Sequence, residues 1–129
     1  MKLLLDTHVF LWLISDDPRL RSSVRQTISD SSNAVYLSVV SIWEAAVKHA
    51  IRRLPLPSPL GVYLPAQRQR HKIQNLDLDE QSVAMLDSLP AVHRDPFDRM
   101  LICQALDRGM TIMTSDRVFE SYQVPLLKT

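Results

Sequence analysis

The order of strand then helix is clearest in one stretch near the start of the chain, Lys2-Leu-Leu-Leu-Asp6-Thr-His-Val-Phe-Leu-Trp-Leu-Ile14. Lys2 to Asp6 is a short apolar run that ends on a carboxylate, which indicates a buried β-strand. From Thr7 to Ile14 the apolar residues recur at helical spacing. The stretch therefore predicts a strand followed by a helix, with the carboxylate of Asp6 at the point where the two join.

The same alternation continues along the rest of the chain. Apolar runs bounded by turn residues predict further strands over 34–37, 73–76, 110–113 and 124–127. Helical signals predict helices over 18–30, 38–51, 60–70, 79–86, 96–108 and 116–122. Asp17 before Pro18 and Asp95 before Pro96 are predicted helix caps, and Gly109 is a predicted helix end. Pro65 is expected to kink the helix over 60–70 or to delay its start.

The predicted strands are short and uniformly apolar, which is typical of strands covered on both faces. Strands of this kind, alternating with helices, predict an α/β fold with a mostly parallel sheet and helices on both sides. The chain has 129 residues, of which 46% are hydrophobic and 22% charged. This size and composition indicate one globular domain over residues 1–129.

The apolar start of the chain resembles a signal peptide only superficially. Asp6, Thr7 and His8 interrupt it, and no small-residue cleavage site follows. No apolar segment reaches the roughly 18 residues that a membrane span needs. The one cysteine, Cys103, lies in an apolar run and is expected to be buried. We expect a cytoplasmic protein that is neither exported nor anchored in a membrane.

Four carboxylates fall where parallel strands end or where the following helices begin. Asp6 closes the first strand, and Asp116 follows the strand over 110–113. Glu44 lies early in the helix over 38–51, and Asp98 lies in the first turn after Pro96. Ligands of open α/β sheets bind at the carboxyl ends of the strands, so we expect these acids to converge there.

Each acid also has a purely structural explanation. Asp6 could cap the helix that begins at Thr7, and Asp116 could cap the turn before Phe119. Glu44 lies three residues after Ser41, in the spacing of a capping box. Asp98 would stabilise the helix dipole. Capping remains an alternative for each acid taken singly.

Taken together, the four acids favour a metal site. Four carboxylates at one place repel each other unless a cation lies among them. Mg²⁺ is the ion that such oxygen ligands suit, with Mn²⁺ as the alternative. The metal would activate water and stabilise charge on a phosphate under attack. We therefore predict that the catalytic and metal-binding residues are Asp6, Glu44, Asp98 and Asp116.

Other chemistries lack their signatures in this sequence. The histidines are scattered without the spacing of a zinc site, and two glycines are too few for a phosphate-binding loop. No Gly-x-Ser-x-Gly motif indicates a serine hydrolase. A second aspartate two residues after Asp6, expected of an aspartyl-phosphate phosphatase, is missing.

The motifs resemble those of the PIN-domain family, in particular the VapC-like toxins of bacterial toxin–antitoxin pairs. The resemblance covers essentially the whole chain and is most specific in the Asp-Pro-Phe-Asp-Arg segment. It is carried by four segments: Leu4-Leu-Asp6-Thr-His-Val, Ser38-x-x-Ser41-Ile-Trp-Glu44, His93-Arg-Asp-Pro-Phe-Asp98-Arg-Met-Leu-Ile-x-Gln-Ala105 and Thr114-Ser-Asp116.

The resemblance implies a three-layer α/β/α fold with a parallel sheet of about five strands. It also implies Mg²⁺- or Mn²⁺-dependent RNA cleavage by a toxin that forms a homodimer and is silenced by an antitoxin protein. The acids of the family fall on the four carboxylates named above, and Thr114 matches the hydroxyl residue that supports Asp6. Within the third motif we assign Asp95 to the helix cap and Asp98 to the site.

A basic block follows Glu44. No acidic residue occurs between Glu44 and Asp77, whereas six lysines and arginines do: Lys48, Arg52, Arg53, Arg68, Arg70 and Lys72. The block would suit the phosphates of RNA, although a solvated helical face explains it equally well.

Two rival functions share these features. A non-catalytic PIN-like module that binds RNA or protein would be expected to lose one of the acids, yet all four are present. The other rival is a metal-dependent phosphatase or DNA nuclease on a related fold. The small size of the chain counts against an enzyme that must clamp structured DNA.

Overall fold

The computed structural model describes residues 1–57 and 59–129. The described strands are β1 (Lys2–Leu5), β2 (Ala34–Ser38), β3 (Gln74–Leu76), β4 (Thr111–Thr114) and β5 (Leu126–Lys128). The helices are α1 (Thr7–Ile14), α2 (Ser22–Ser29), α3 (Val39–Ala50), α4 (Leu60–Arg70), α5 (Glu80–Ala84) and α6 (Pro96–Arg108). Two short 3₁₀ helices cover Met85–Ser88 and Arg117–Ser121.

The five strands form one parallel sheet in the order β3-β2-β1-β4-β5. The chain builds outward from β1 through β2 to β3, and then returns to the other side of β1 for β4 and β5. The strand order therefore reverses between β1 and β4. This reversal is the topological switch point at which α/β proteins form their ligand sites. The predicted α/β fold is confirmed, and every pairing in the sheet is parallel.

Helices cover both faces of the sheet, as the alternating side chains of β1 require. Leu3 and Leu5 belong to a buried cluster that includes Phe10 of α1, whereas Leu4 packs on the opposite face with Leu101 of α6. Cys103 is buried in that second cluster, as predicted. The two clusters give the three-layer arrangement. Among the described residues, no helix is long and apolar enough to cross a membrane.

The predicted start of the second helix is wrong, because α2 begins at Ser22 and not at Pro18. The Asp17 carboxylate accepts hydrogen bonds from the backbone N–H of Arg19 at 2.9 Å and from its Nε at 3.1 Å. The N–H of Leu20 donates to the Asp17 carbonyl at 3.0 Å. Asp17 and Pro18 thus form a turn that places Leu20 in the core, and an Asp-Pro pair suits such a turn as well as it suits a helix start.

Smaller differences occur at other boundaries. The helix over 79–86 ends at Ala84 and continues as a 3₁₀ turn, and the helix over 116–122 is entirely 3₁₀. The last strand starts at Leu126, after Pro125, which has no N–H to donate to the sheet. Pro65 lies inside α4 and does not delay its start. Helix α6 agrees with the prediction at both ends, including Gly109 with its φ of 65°.

Candidate active site

Asp6 lies at the carboxyl end of β1, on the switch point, and is only 2% exposed. It holds the N-cap position of α1 but makes no capping hydrogen bond. Instead, the Oγ1 of Thr114 donates to its Oδ2 at 2.8 Å, as the resemblance implied. The same Thr114 oxygen accepts from the backbone N–H of Asp116 at 3.0 Å. Thr114 therefore connects the ends of the two central strands and orients the Asp6 carboxylate.

Glu44 projects from α3 and is 1% exposed. Its Oε2 accepts a hydrogen bond from Lys48 Nζ at 2.7 Å, one helical turn further on. The capping-box alternative is wrong, because Ser38 caps this helix by accepting from Val40 N at 3.0 Å. Ser41 lies inside the helix, and its hydroxyl bonds to the Thr7 hydroxyl at 2.8 Å. Glu44 is thus a buried carboxylate with one cationic partner.

The first turn of α6 separates two aspartates with different contacts. Asp95 caps the helix, since its Oδ1 accepts from Phe97 N at 2.8 Å and from Asp98 N at 3.1 Å. Asp98 is 8% exposed, and its Oδ2 lies 3.0 Å from His93 Nε2. The capping role predicted for Asp95 is confirmed, and Asp98 remains free for another role.

Asp116 is the exposed member of the set. Its side chain accepts from Val118 N at 3.0 Å and so caps the short 3₁₀ helix after β4. The capping alternative therefore holds for one of its oxygens.

The pKa values of Asp6 and Asp98 are both raised. Burial raises the pKa of Asp6, and the charges of Glu44 and Asp116 raise it further, against the hydrogen bond from Thr114 and the charge of His8, which lower it. Burial also raises the pKa of Asp98 to about 7. The hydrogen bond with His93 opposes that rise, while the charges of Asp6, Asp95 and Glu44 add to it. Through these charge effects Asp6 is linked to Glu44 and Asp116, and Asp98 is linked to Asp6 and Glu44.

Two oxygens of this cluster have no hydrogen-bond partner. Among the described residues, the buried side-chain nitrogen and oxygen atoms left without a partner are Asp6 Oδ1 and Glu44 Oε1. An ionised carboxylate can only accept, so a buried one without a donor is costly. A divalent cation would satisfy an oxygen acceptor of this kind, and the chemistry of these two acids therefore fits such an ion.

His93 was missed from the sequence, where the histidines looked scattered. One ligand atom from each of His93, Asp95 and Asp98 can be chosen so that the three lie within 4.8 Å of one another. The backbone N–H of His93 donates to the Tyr122 hydroxyl at 3.0 Å, and Arg99 Nη1 contacts that same hydroxyl at 3.4 Å. The loop before α6 is thereby held against the helix. The closeness of the histidine to the acids in the His-Arg-Asp-Pro-Phe-Asp segment was the available signal.

Lys48 was assigned to the basic block, yet it belongs to the site through its contact with Glu44. The spacing of Glu44 and Lys48, four residues apart on one helix, was the signal that could have revealed the pair.

Comparison with known proteins gives a consistent family. The family model described as PIN domain matches residues 3–125. Ribonuclease VapC22 of Mycobacterium tuberculosis is 26% identical over 123 residues, which cover 95% of this chain and 92% of the relative. Ribonuclease VapC16 of the same organism is 31% identical over 71 residues, covering 52% of this chain and 50% of the relative.

Solved structures share the fold at lower identity. The structure of VapBC2 from Rickettsia felis bound to a promoter DNA fragment matches with a TM-score of 0.72 and 12% identity, covering 100% of this chain and 99% of that one. DNA-bound VapBC from Salmonella typhimurium matches with a TM-score of 0.71 and 18% identity, covering 99% and 98%.

Proposed function

We propose that this chain, which belongs to the PIN-domain family, is a metal-dependent endoribonuclease formed by a single nuclease domain over residues 1–129. The observation that carries the proposal is a pair of buried, unpartnered oxygens, Asp6 Oδ1 at the switch point and Glu44 Oε1 on α3. The similarity to two VapC ribonucleases supports RNA as the substrate.

Asp6, Glu44, Asp98 and Asp116 would hold the metal, which we propose to be Mg²⁺ or Mn²⁺. When bound, the ion supplies an activated water and neutralises charge on the phosphate under attack. Hard divalent ions prefer oxygen ligands, and the four acids offer carboxylate oxygens only. Asp116 would act with the oxygen that its capping bond leaves available.

The other residues of the site orient these carboxylates. Thr114 fixes Asp6 through a hydrogen bond of 2.8 Å. Lys48 holds one oxygen of Glu44 and leaves the other without a partner. His93 contacts the Oδ2 of Asp98 and so limits the directions that this carboxylate can take. Preorganised ligands of this kind reduce the rearrangement needed when the ion and the substrate bind.

We further propose that the enzyme is the toxin of a toxin–antitoxin pair and acts as a homodimer in the cytoplasm. The support is the likeness to VapC ribonucleases and to solved VapBC complexes over almost the whole chain. A cognate antitoxin protein would then be its partner and inhibitor. Co-expression with the product of an adjacent small gene, followed by purification and an activity assay, tests this part.

The nuclease proposal is tested with purified protein, single-stranded RNA and single-stranded DNA. We expect cleavage of RNA with Mg²⁺, no cleavage with EDTA, and no cleavage by the Asp6→Asn variant with Mg²⁺. Cleavage of DNA alone would favour the DNA nuclease. Binding of RNA without cleavage under any metal would instead favour the non-catalytic module.

A further inference from the structure

A groove of about 500 Å³ lies beside the carboxylate cluster, between α1 and the segment that follows α3. Its volume falls within the range of about 300 to 1,000 Å³ that is common for small-ligand sites. The described residues that line it are His8, Leu11, Trp12, Ser15, Asp17, Arg19, Lys48, Arg53, Leu54, Pro55 and Leu56.

The groove adjoins the proposed active site at Lys48. This side chain lines the groove, and its Nζ contacts the Oε2 of Glu44 at 2.7 Å. His8 also lines the groove and lies two residues after Asp6 in the chain. A molecule in the groove would therefore contact Lys48, the side chain that pairs with Glu44 of the proposed metal site.

The charge of the groove favours an anion. Its one acidic residue among the described lining is Asp17, which is already paired with Arg19 at 2.8 Å. Lys48 and the exposed Arg53 supply further positive charge near the site. A phosphate at this end would meet Arg53 and also Lys48, whose ammonium group pairs with Glu44, and the described lining holds no acidic residue other than Asp17.

The opposite wall is apolar and partly aromatic. Trp12 is half-buried there, with the guanidinium of Arg19 4.8 Å from the centre of its ring. Leu11, Leu54 and Leu56 complete the wall. Planar aromatic rings and guanidinium groups are the surfaces on which unpaired bases stack in single-stranded RNA.

We propose that this groove binds one unpaired nucleotide of the RNA strand, next to the phosphate that is cleaved. The base lies against the wall formed by Trp12 and the Arg19 guanidinium over its ring, and the phosphate at the end of the groove nearest the active site contacts Lys48 and Arg53. The inference rests on the proposed ribonuclease function and adds a substrate subsite to it.

The basic block offers a matched pair of variants for the test. Arg52 and Arg53 are adjacent, exposed and equally charged, but only Arg53 lines the described part of the groove. We expect Arg53→Gln to raise the KM for a single-stranded RNA about fivefold, with kcat changed by less than about twofold. The slope of the logarithm of RNA affinity against the logarithm of salt concentration should also become shallower by about 0.7, the value for one lost phosphate contact with a single strand. Arg52→Gln should leave both quantities unchanged.

Tryptophan fluorescence tests the base-binding wall without any cleavage. The chain has two tryptophans, so Trp43→Phe leaves Trp12 as the only reporter. In EDTA, a short single-stranded RNA of mixed sequence should quench Trp12. We expect that quenching to need a higher RNA concentration when Arg53→Gln is added, and not when Arg52→Gln is added.

The outcomes separate the subsite from the function. If the wild-type protein does not cleave RNA, the ribonuclease proposal fails. If it cleaves RNA but Arg53→Gln and Arg52→Gln share one KM and RNA leaves Trp12 unquenched, the groove inference alone is overturned. A variant Arg53→Gln that keeps its KM for RNA but no longer binds the partner protein would overturn it in favour of a peptide in the groove.

Discussion

Carboxylate side chains have opposite environments in two regions of the molecule, the buried part of the candidate site and the first turn of α6. In the buried part of the candidate site, Asp6 and Glu44 are almost inaccessible to solvent, and each has one oxygen without a hydrogen-bond partner. At the helix start, Asp95 accepts two backbone N–H groups with a single oxygen. Position at a helix start thus does not distinguish a structural acid from a functional one. Asp6 and Asp95 differ instead in whether the surrounding backbone satisfies the carboxylate.

The difference also has an energetic meaning. A cap stabilises the fold, whereas a buried carboxylate without a donor destabilises it. Burial raises the pKa of Asp6, and repulsion by the charge of Glu44 adds to that rise. Residues that reduce stability in this way are typical of sites where a ligand later supplies the missing interaction.

The strongest test of the comparison is Asp6→Asn, which keeps the shape of the side chain and removes its charge. We expect RNA cleavage to fall at least about 100-fold, because the metal loses a buried anionic ligand. We expect the melting temperature to stay the same or to rise, because carboxylate repulsion is relieved. Asp87→Asn, on the exposed 3₁₀ turn, serves as the control. Normal Mg²⁺-dependent cleavage by Asp6→Asn would remove Asp6 from the site.

The next largest effects should separate the two aspartates of α6. Asp98→Ala should lower turnover by about tenfold or more with little loss of stability. Asp95→Ala should lower the free energy of unfolding by about 0.5 to 2 kcal/mol, the usual value of a lost cap, and keep most of the turnover. Urea denaturation and steady-state cleavage rates measure the two quantities. A stable but inactive Asp95→Ala variant would mean that the roles are reversed.

The pH dependence of stability gives a smaller effect with a definite sign. The folded protein holds the pKa of Asp98 at about 7, above its ordinary value of 3.8. Between these values the folded state binds more protons than the unfolded state, so the free energy of unfolding should fall as pH rises toward 7. The stabilisation is therefore present below the ordinary pKa and lost as pH passes the raised one.

Denaturation of metal-free protein in EDTA, from about pH 4.5 to about pH 8, measures this trend. Asp98→Asn should reduce the fall by an amount on the order of 1 kcal/mol, while the contribution of Asp6, in the same direction, remains. Identical pH profiles for the two proteins would contradict the raised pKa of Asp98.

The smallest expected effect concerns Thr114. Thr114→Val keeps the volume but removes the hydrogen bond to Asp6 Oδ2 and the acceptor for Asp116 N–H. Because the carboxylate loses its orientation, we expect the Mg²⁺ concentration for half-maximal cleavage to rise about threefold. Thr114→Ser keeps the hydroxyl and should behave like the wild type. A metal titration of the three proteins decides the matter, and equal midpoints would show that Thr114 has no part in orienting the ligand.

Much of the site could be predicted because its residues lie at strand ends. Asp6 and Asp116 follow two apolar runs, and parallel strands bring such positions to one edge of the sheet. Asp95 and Asp98 could be separated because Asp-Pro is a strong sign of a helix cap, and the predicted cap was confirmed. By contrast, the Asp17-Pro18 pair forms a turn. An Asp-Pro pair is compatible with a turn and with a helix start, and here the burial of Leu20 favours the turn.

Local spacing placed His93 and Lys48 near acids of the candidate site but did not fix their contacts. His93 reaches Asp98 across a loop. The path of that loop depends on Tyr122, which lies far along the chain, and on Arg99 in α6. Lys48 looked like one charge of a basic block, since periodicity does not tell whether a lysine faces water or a buried acid. The His93 contact thus depends on tertiary packing, whereas the Lys48 contact is local on α3 and gains its role because Glu44 is buried.

The pairing of β1 with β4 has a consequence for the synthesis of the protein on the ribosome. The hydrogen bond between Thr114 and Asp6 joins residues that are 108 positions apart. Chains are synthesised at about 5 to 20 residues per second, and contacts between distant segments form late in folding. A growing chain has Asp6 and Glu44 long before it has the strand that lies beside them. The ribosome can therefore finish making this proposed RNA-cleaving protein before the protein has a complete site with which to attack RNA.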